Sequence, residues 1–337
     1  TQDDIRAAER AQAQIALVLG AETRKRLLSR LYLARCDTAS VVRQISLQVW
    51  KTVVSVTVRT LREILHVLVE HIVDALASGH PEQTEVAGRC LGDITQKLGD
   101  AVLPDIIPVL RDALYRGDRH TRRGVCVGLT DIIVSSSRDQ IAKYLDILVK
   151  VVQDALCDED DGVRSMAASC FQSLYTVVGS RALDEVVPTL LFAMESEDDD
   201  AKVRAVNGLV GILSIRSKEL LPYLIPRLLT KPITKSHADA LTSIASVTGA
   251  TLHLHFSTIM PGLLTELACF FGETLDDDKK EREMAIRACS RAICGSVEEI
   301  GINWLVAEIA SKCSNDKVSL RKESCEMLQV LVEESEC

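Results

Sequence analysis

An all-α solenoid of about eight antiparallel helix pairs is the fold this 337-residue chain predicts. Three observations predict it. An arginine opening an apolar-striped helix recurs at Arg43, Arg122, Arg164, Arg204, Arg282 and Arg321, with gaps of 79, 42, 40, 78 and 39 residues. A period near 40 is typical of two-helix repeats, and each long gap then hides one degenerate copy. Apolar residues make up 47% of the chain and aromatics only 4%, a balance that suits cores of Leu, Ile, Val and Ala between helices. The triplet Asp-Ala-Leu returns at Asp74, Asp112 and Asp154, 38 and 42 residues apart, and keeps the same period.

Within each repeat the first helix places apolar residues such as Ile106, Val109, Leu110, Ala113 and Leu114 at i, i+3, i+4 spacing. The second helix is clearest where Val163, Met166, Ala167, Cys170, Phe171, Leu174 and Val178 trace a stripe over four turns. Pro104, Pro108, Pro188, Pro222, Pro226 and Pro261 mark first helices, as kinks or as helix starts. Gly99, Gly179 and Gly249 close second helices, where a left-handed residue is wanted. Asp37, Asp118, Asp158 and Asp200 fall in the turns before second helices, near the positive end of the helix dipole. These signals divide the chain at 1–56, 57–99, 100–136, 137–179, 180–215, 216–251, 252–297 and 298–337. No flexible linker separates the pieces, so residues 1–337 are expected to form a single continuous array. Thr1 and Cys337 read as cuts in a longer solenoid.

Function classes fall away in turn. No apolar run approaches the roughly 18 residues that span a bilayer, and the N-terminal stretch lacks a basic-then-apolar signal, so no membrane partner is expected. The eleven cysteines are odd in number, show no C-x-x-C spacing and mostly sit in apolar stripes, as Cys90, Cys170, Cys289 and Cys325 do; reduced thiols packing as small hydrophobes fit a cytosolic or nuclear protein. A net charge of −9 argues against winding on DNA. Nucleophile elbow, phosphate loop and H-E-x-x-H are all missing, which predicts a binding surface, no enzyme and no cofactor. His253 and His255 point about 200° apart on a helix and cannot chelate one metal; His66 and His71 fare no better. The acidic runs at Asp158 to Asp161, Glu195 to Asp200 and Asp276 to Asp278 lack calcium-ligand spacing and read as solvated turns or as docking sites for basic partners.

One turn stands against this acidic pattern. Residues 111–124, RDALYRGDRHTRRG, carry Arg111, Arg116, Arg119, Arg122 and Arg123 against Asp112 and Asp118, a net of +3. Guanidinium forks match phosphate and carboxylate oxygens, so this turn is either a solvated loop with local pairs or a contact for ribosomal RNA phosphate or an acidic protein. A second basic cluster holds Arg24, Lys25, Arg26 and Arg30.

The period and the D-x-x-x-x-V-R turn resemble HEAT repeats along the whole chain. Residues 37–65, DTASVVRQISLQVWKTVVSVTVRTLREIL, more closely resemble the general-control non-derepressible translational activators, very large ribosome-associated HEAT proteins. Val42, Arg43, Val49, Trp50, Lys51, Arg59, Thr60, Leu61, Glu63, Ile64 and Leu65 fit that family's string, whereas Gln48, Ser55 and Val58 replace its usual His, Asn and Pro. Residues 91–110, 155–191, 220–234 and 243–250 resemble the same family in the same order. The resemblance implies a fragment of the C-terminal half of such an activator, a cytoplasmic, ribosome-associated, non-enzymatic scaffold acting in amino-acid starvation or ribosome stalling. Implied partners are the eIF-2-alpha kinase, through its RWD domain, the ribosome, and an ABC-family ATPase that works with the full-length protein. The competing reading of the repeat pattern is a nuclear transport receptor or a phosphatase scaffold.

Overall fold

A computed structural model describes residues 10, 14, 18, 20–196, 198–271 and 276–334, and these contain sixteen α-helices and no strand. Thr1, Cys337 and parts of the acidic run at 195–200 lie outside the described residues. The contacts form two compact units, Thr1–Val186 and Val187–Cys337, dividing within one helix.

The first unit holds α1 Ala21–Ala34, α2 Ser40–Val53, α3 Thr57–Ala77, α4 Pro81–Leu98, α5 Leu103–Arg116, α6 Arg119–Ser135, α7 Arg138–Lys143, α8 Leu145–Leu156 and α9 Asp161–Val178. Helix α10, Arg181–Met194, carries the division. Second helices pack side by side, α4 on α6 and α6 on α9. Along α9 the buried side chains are Val163, Ala167, Ala168, Cys170, Phe171, Leu174 and Val178, each large one contributing roughly 1.5–3 kcal/mol of burial. Met166, expected in that stripe, is only half-buried and faces a groove. In α5 the buried stripe is Leu103, Ile106, Ile107, Leu110 and Leu114; Val109, expected in it, is exposed, because the buried face takes Ile107 on its other side and leaves Val109 at its edge. The recurring Asp-Ala-Leu leucines Leu76, Leu114 and Leu156 are all buried. At Leu76 α6 comes close to α3: a Cβ on Gly124 would stand 2.2 Å from the Leu76 carbonyl oxygen.

The second unit continues with α11 Asp199–Leu228, α12 Lys235–Thr248, a 3₁₀ segment Gly249–His255, α13 Phe256–Cys269, α14 Asp277–Gly295, α15 Glu299–Cys313 and α16 Val318–Glu334. Helix α11 is broken at Arg216 (φ −136°, ψ 45°), at the 215/216 repeat boundary read from the sequence. Pro222 and Pro226 lie in the piece beyond the break, as first-helix prolines. Again the second helices pair, α12 with α14 and α14 with α16. Helices α4 and α12 fill the two long gaps in the arginine series. Cys325, expected in an apolar stripe, is exposed, since α16 buries Glu323, Ser324, Met327 and Leu331 instead.

The turns explain the repeated arginine. Arg43 Nη1 donates to the carbonyls of Asp37 and Thr38 at 2.6 Å each, Arg164 Nη1 to those of Asp158 and Glu159 at 2.6 and 2.9 Å, and Arg321 Nη1 to those of Asn315 and Asp316 at 2.8 and 3.0 Å. In each case the guanidinium reaches back six and five residues. The residue it grips first also closes the turn: Asp37, Asp158 and Asn315 accept from the backbone two residues on, at 2.8, 2.9 and 3.0 Å. Separate aspartates cap the helices, Asp118, Asp160, Asp198 and Asp276, each accepting a first-turn N–H. Asp200 lies one residue inside α11, and Asp198 does the capping. Arg282 holds a neighbouring turn: its Nε donates to the Ile233 carbonyl at 3.1 Å and its Nη2 meets buried Glu266 at 2.8 Å, while Glu266 accepts the Ile233 N–H at 3.2 Å.

Gly99, Gly179 and Gly249 close their helices with φ of 63°, 73° and 38°. At Gly99 and Gly179 ψ is −144° and −148°, a region nearly confined to glycine. No atom lies within 4 Å of a Cβ built on Gly179, so Gly179→Ala tests backbone strain alone. A loss of about 1–3 kcal/mol in denaturant unfolding is expected. In the second unit, burial lowers the pKa of His237 below the ordinary 6.5, against the opposing pull of Glu195 3.4 Å away. Between 6.5 and that lower folded value the unfolded chain binds more protons, so stability falls as pH drops below 6.5. A pH series of unfolding midpoints should show this slope and lose it in His237→Gln.

Candidate functional site

The arginine-rich turn joins α5 to α6, and the structure sorts its five arginines by role. Asp118 caps α6 by accepting from Thr121 N at 2.9 Å and Thr121 Oγ1 at 2.8 Å, which consumes one of the two local carboxylates. Arg122, the repeated arginine, is a structural tie. Its Nε lies 2.7 Å from Asp158 Oδ2, its Nη2 3.1 Å from Glu159 Oε1, and its Nη1 donates to the Gly117 carbonyl at 3.2 Å. With side chains only 18% and 10% exposed, Arg122 and Asp158 join successive repeats across a poorly solvated gap. Arg111 sits two turns back on α5, 3.5 Å from Asp112. It flanks Tyr115, whose hydroxyl donates to Asp154 of α8 and is thereby pushed up to about 12.

Arg116, Arg119 and Arg123 are exposed. Arg119 and Arg123 are one helical turn apart on α6, so they share a face, and Arg116 ends α5 beside them. Among the described residues none of the three forms an ion pair; Arg119 Nε meets only His120 Nε2, at 3.4 Å. Arg123 is seated by a glycine: a Cβ on Gly162 would fall 2.6 Å from its Cζ. Next to Arg123 a groove of about 480 Å³ runs between α4, α6 and α9, lined among others by Arg89, His120, Val127, Asp131 and Met166. Arg89 is occupied by Glu85 one turn earlier. Asp131 is raised by burial, which the charge of Arg89 partly offsets. Sequence reading missed Arg89 because it enters this site through helix packing and not through spacing along the chain.

His253 lies edge-on to Trp304 at 5.9 Å, and among the described residues no three His, Cys, Asp or Glu gather as a metal site. No helix of the described residues is long and apolar enough to cross a membrane. Trp50, a signature residue of the family string, is 2% exposed, with Nε1 bonded to Thr57 Oγ1 at 3.0 Å and its ring 4.9 Å from Tyr32. It supports the fold of the first repeats and offers no surface.

Removing the Arg122 side chain leaves Asp158 half-desolvated and a turn carbonyl unsatisfied. Arg122→Met should therefore cost about 2–4 kcal/mol in unfolding free energy. The same measurement on Arg116→Ala or Arg119→Ala, whose side chains are solvated, should stay within about 0.5 kcal/mol of the parent.

A family model described as "Stalled ribosome sensor GCN1-like, HEAT repeats" matches residues 38–215 and 220–337. The chain is 38% identical over 315 residues to the Dictyostelium discoideum protein named eIF-2-alpha kinase activator GCN1, covering 93% of this chain and 12% of that protein. Against the Homo sapiens protein named Stalled ribosome sensor GCN1 it is 35% identical over 330 residues, covering 98% and 12%. Against the Saccharomyces cerevisiae eIF-2-alpha kinase activator GCN1 it is 33% identical over 305 residues, covering 90% and 11%. The chain thus spans about an eighth of the length of these relatives. Among solved structures it is similar to Kap121p bound to RanGTP, at 12% identity and a TM-score of 0.45, covering 99% of this chain and 38% of that one, a likeness too distant to bear on function. With its helix pairs, its gripped turns and a family match over most of its length, the chain belongs to the GCN1-like HEAT-repeat family.

Proposed function

We propose that this chain is one segment of a non-enzymatic HEAT-repeat scaffold that binds ribosomes and promotes activation of the eIF-2-alpha kinase when translation stalls or amino acids run short. The names of its relatives, stalled ribosome sensor and eIF-2-alpha kinase activator, support this reading. In the whole protein the further partners are the kinase's RWD domain and an ABC-family ATPase, and the place of action is the ribosome-associated cytoplasm. The mechanism is positional: a scaffold that holds the kinase near the ribosome raises the effective concentration of one for the other without chemistry of its own.

The observation that carries a ribosome contact is the division of labour in the α5–α6 turn. Arg122 is spent on the fold, whereas Arg116, Arg119 and Arg123 stand exposed, without ion pairs among the described residues, on a chain of net charge −9. Three exposed guanidinium groups suit a phosphate backbone, whose binding releases counterions.

Pelleting of the chain with ribosomes through a sucrose cushion across a salt series tests the contact, beside a variant with Arg116, Arg119 and Arg123 changed to Glu. The expected result is salt-sensitive co-pelleting that the variant loses. Changing those three to Ala should lower the slope of log affinity against log salt by about 2 to 3. Co-pelleting unchanged in the Glu variant would remove these arginines from the contact. No pelleting of the parent chain at low salt would assign the segment to spacing or protein docking.

A further inference from the structure

Three side chains line the groove beside Arg123 without serving the core. Met166 turns out of the buried stripe of α9, and Arg123 itself stands exposed over Gly162. Asp131 is half-buried, yet among the described residues its carboxylate accepts no hydrogen bond and forms no ion pair. Arg89, whose charge it feels, is held by Glu85. A carboxylate drawn out of water without a donor is costly, and in a cavity it marks a place for one. Gly88 of α4 makes the space: a Cβ there would overlap Asp131 Oδ2, while Val127 Cγ1 would stand off at 3.5 Å.

Arg123, Val127 and Asp131 follow one another at four-residue steps on α6, so they share a face, with Arg123 and Asp131 about 12 Å apart along the helix. The groove of about 480 Å³ therefore offers a cation at one end, an apolar middle at Val127 and a carboxylate at the other end. Its size is that of a small-ligand site. An occupant must carry an anion, a flat body and N–H donors in that order. A nucleotide does, as phosphate, sugar and base. Guanine turns two adjacent donors, N1–H and the N2 amine, to one edge, where a carboxylate accepts both; uracil turns two carbonyls and a single N–H. RNA outside duplexes is read in this way, by unstacked bases bonded along their Watson–Crick edges.

We propose that the groove between α4 and α6 takes one unpaired guanine of single-stranded RNA, a site that rests on the phosphate contact assigned above to Arg116, Arg119 and Arg123. Asp131 accepts the N1–H and one N2–H of the base, one on each oxygen. The ring lies against Val127 and Met166, and the phosphate meets Arg123 at the mouth. The arginines alone hold any RNA, because phosphates carry no sequence. Asp131 adds the choice of base, so the segment favours strands with an unpaired guanine over strands without one.

Fluorescence anisotropy of the chain with a labelled nonamer of uridine, and with the same nonamer carrying one central guanosine, tests the site across a salt series. The guanosine strand should bind on the order of tenfold tighter, with the same salt slope, since both strands carry the same phosphates. Inosine at that position, which lacks the N2 amine, should lose most of the preference. Asp131→Ala removes the carboxylate, and Gly88→Ala keeps its charge but displaces it; each, checked for parental helical circular dichroism, should bind the two strands equally. Equal affinity of the parent chain for both strands would overturn the guanine site and leave the phosphate contact standing. A preference that survives in both folded variants would overturn it too, by placing the base elsewhere. Binding of neither strand at low salt would also overturn the site, and ribosome pelleting then decides the phosphate contact by itself.

Discussion

The bond from a second-helix arginine back to the carbonyls of the turn before it is the constraint on which the repeats of Arg43, Arg164 and Arg321 depend. A tight connection between antiparallel helices leaves carbonyls with no helical partner, and a repeat too small to bury them must satisfy them locally. Arg43, Arg164 and Arg321 do so with one nitrogen each, six and five residues back, over an aspartate or asparagine that closes the same turn. Each such charge-assisted bond contributes on the order of 1.5–3 kcal/mol. Its geometry also fixes how far the second helix begins from the end of the first. Arg204, at the same place in the period, reaches only the Asp198 carboxylate, at 3.5 Å.

Where the pattern bends, the grip passes between repeats. Arg122 keeps one carbonyl of its own turn and gives the rest of its guanidinium to Asp158 and Glu159 of the next. Asp158 is in turn the residue whose carbonyl Arg164 holds, so Arg122, Asp158 and Arg164 form a chain of contacts across a repeat boundary. Arg282 and Glu266 do similar work in the second unit, closing both the N–H and the carbonyl of Ile233. Buried pairs of this kind cost desolvation, and their value lies in register: a repeat shifted by one residue would strand a charge.

Much of this was legible in the sequence, and what was not has a physical reason. Helix order, the degenerate copies now seen as α4 and α12, the break at Arg216 and the positive-φ glycines all follow from local signals, because helices, caps and turns are built by residues close in the chain. The arginine turn read as a uniform cluster, since spacing cannot show that Arg122 finds Asp158 36 residues later while Arg123 settles over Gly162. The repetition itself was the missing clue: the arginine that recurs from turn to turn belongs to the fold, and Arg116, Arg119 and Arg123, which do not recur, are left to the surface.

The account therefore separates arginines that make the array from arginines the array presents. Native-state hydrogen exchange of Arg164→Met tests the first half directly, because the change removes the Nη1 donor to the Asp158 and Glu159 carbonyls while keeping an apolar stem. The account predicts faster exchange in the 157–163 turn and the first turns of α9, with the interior of α3 unaffected. Unchanged protection across that turn would show that the repeated arginine does not hold the repeat, and the account would fail.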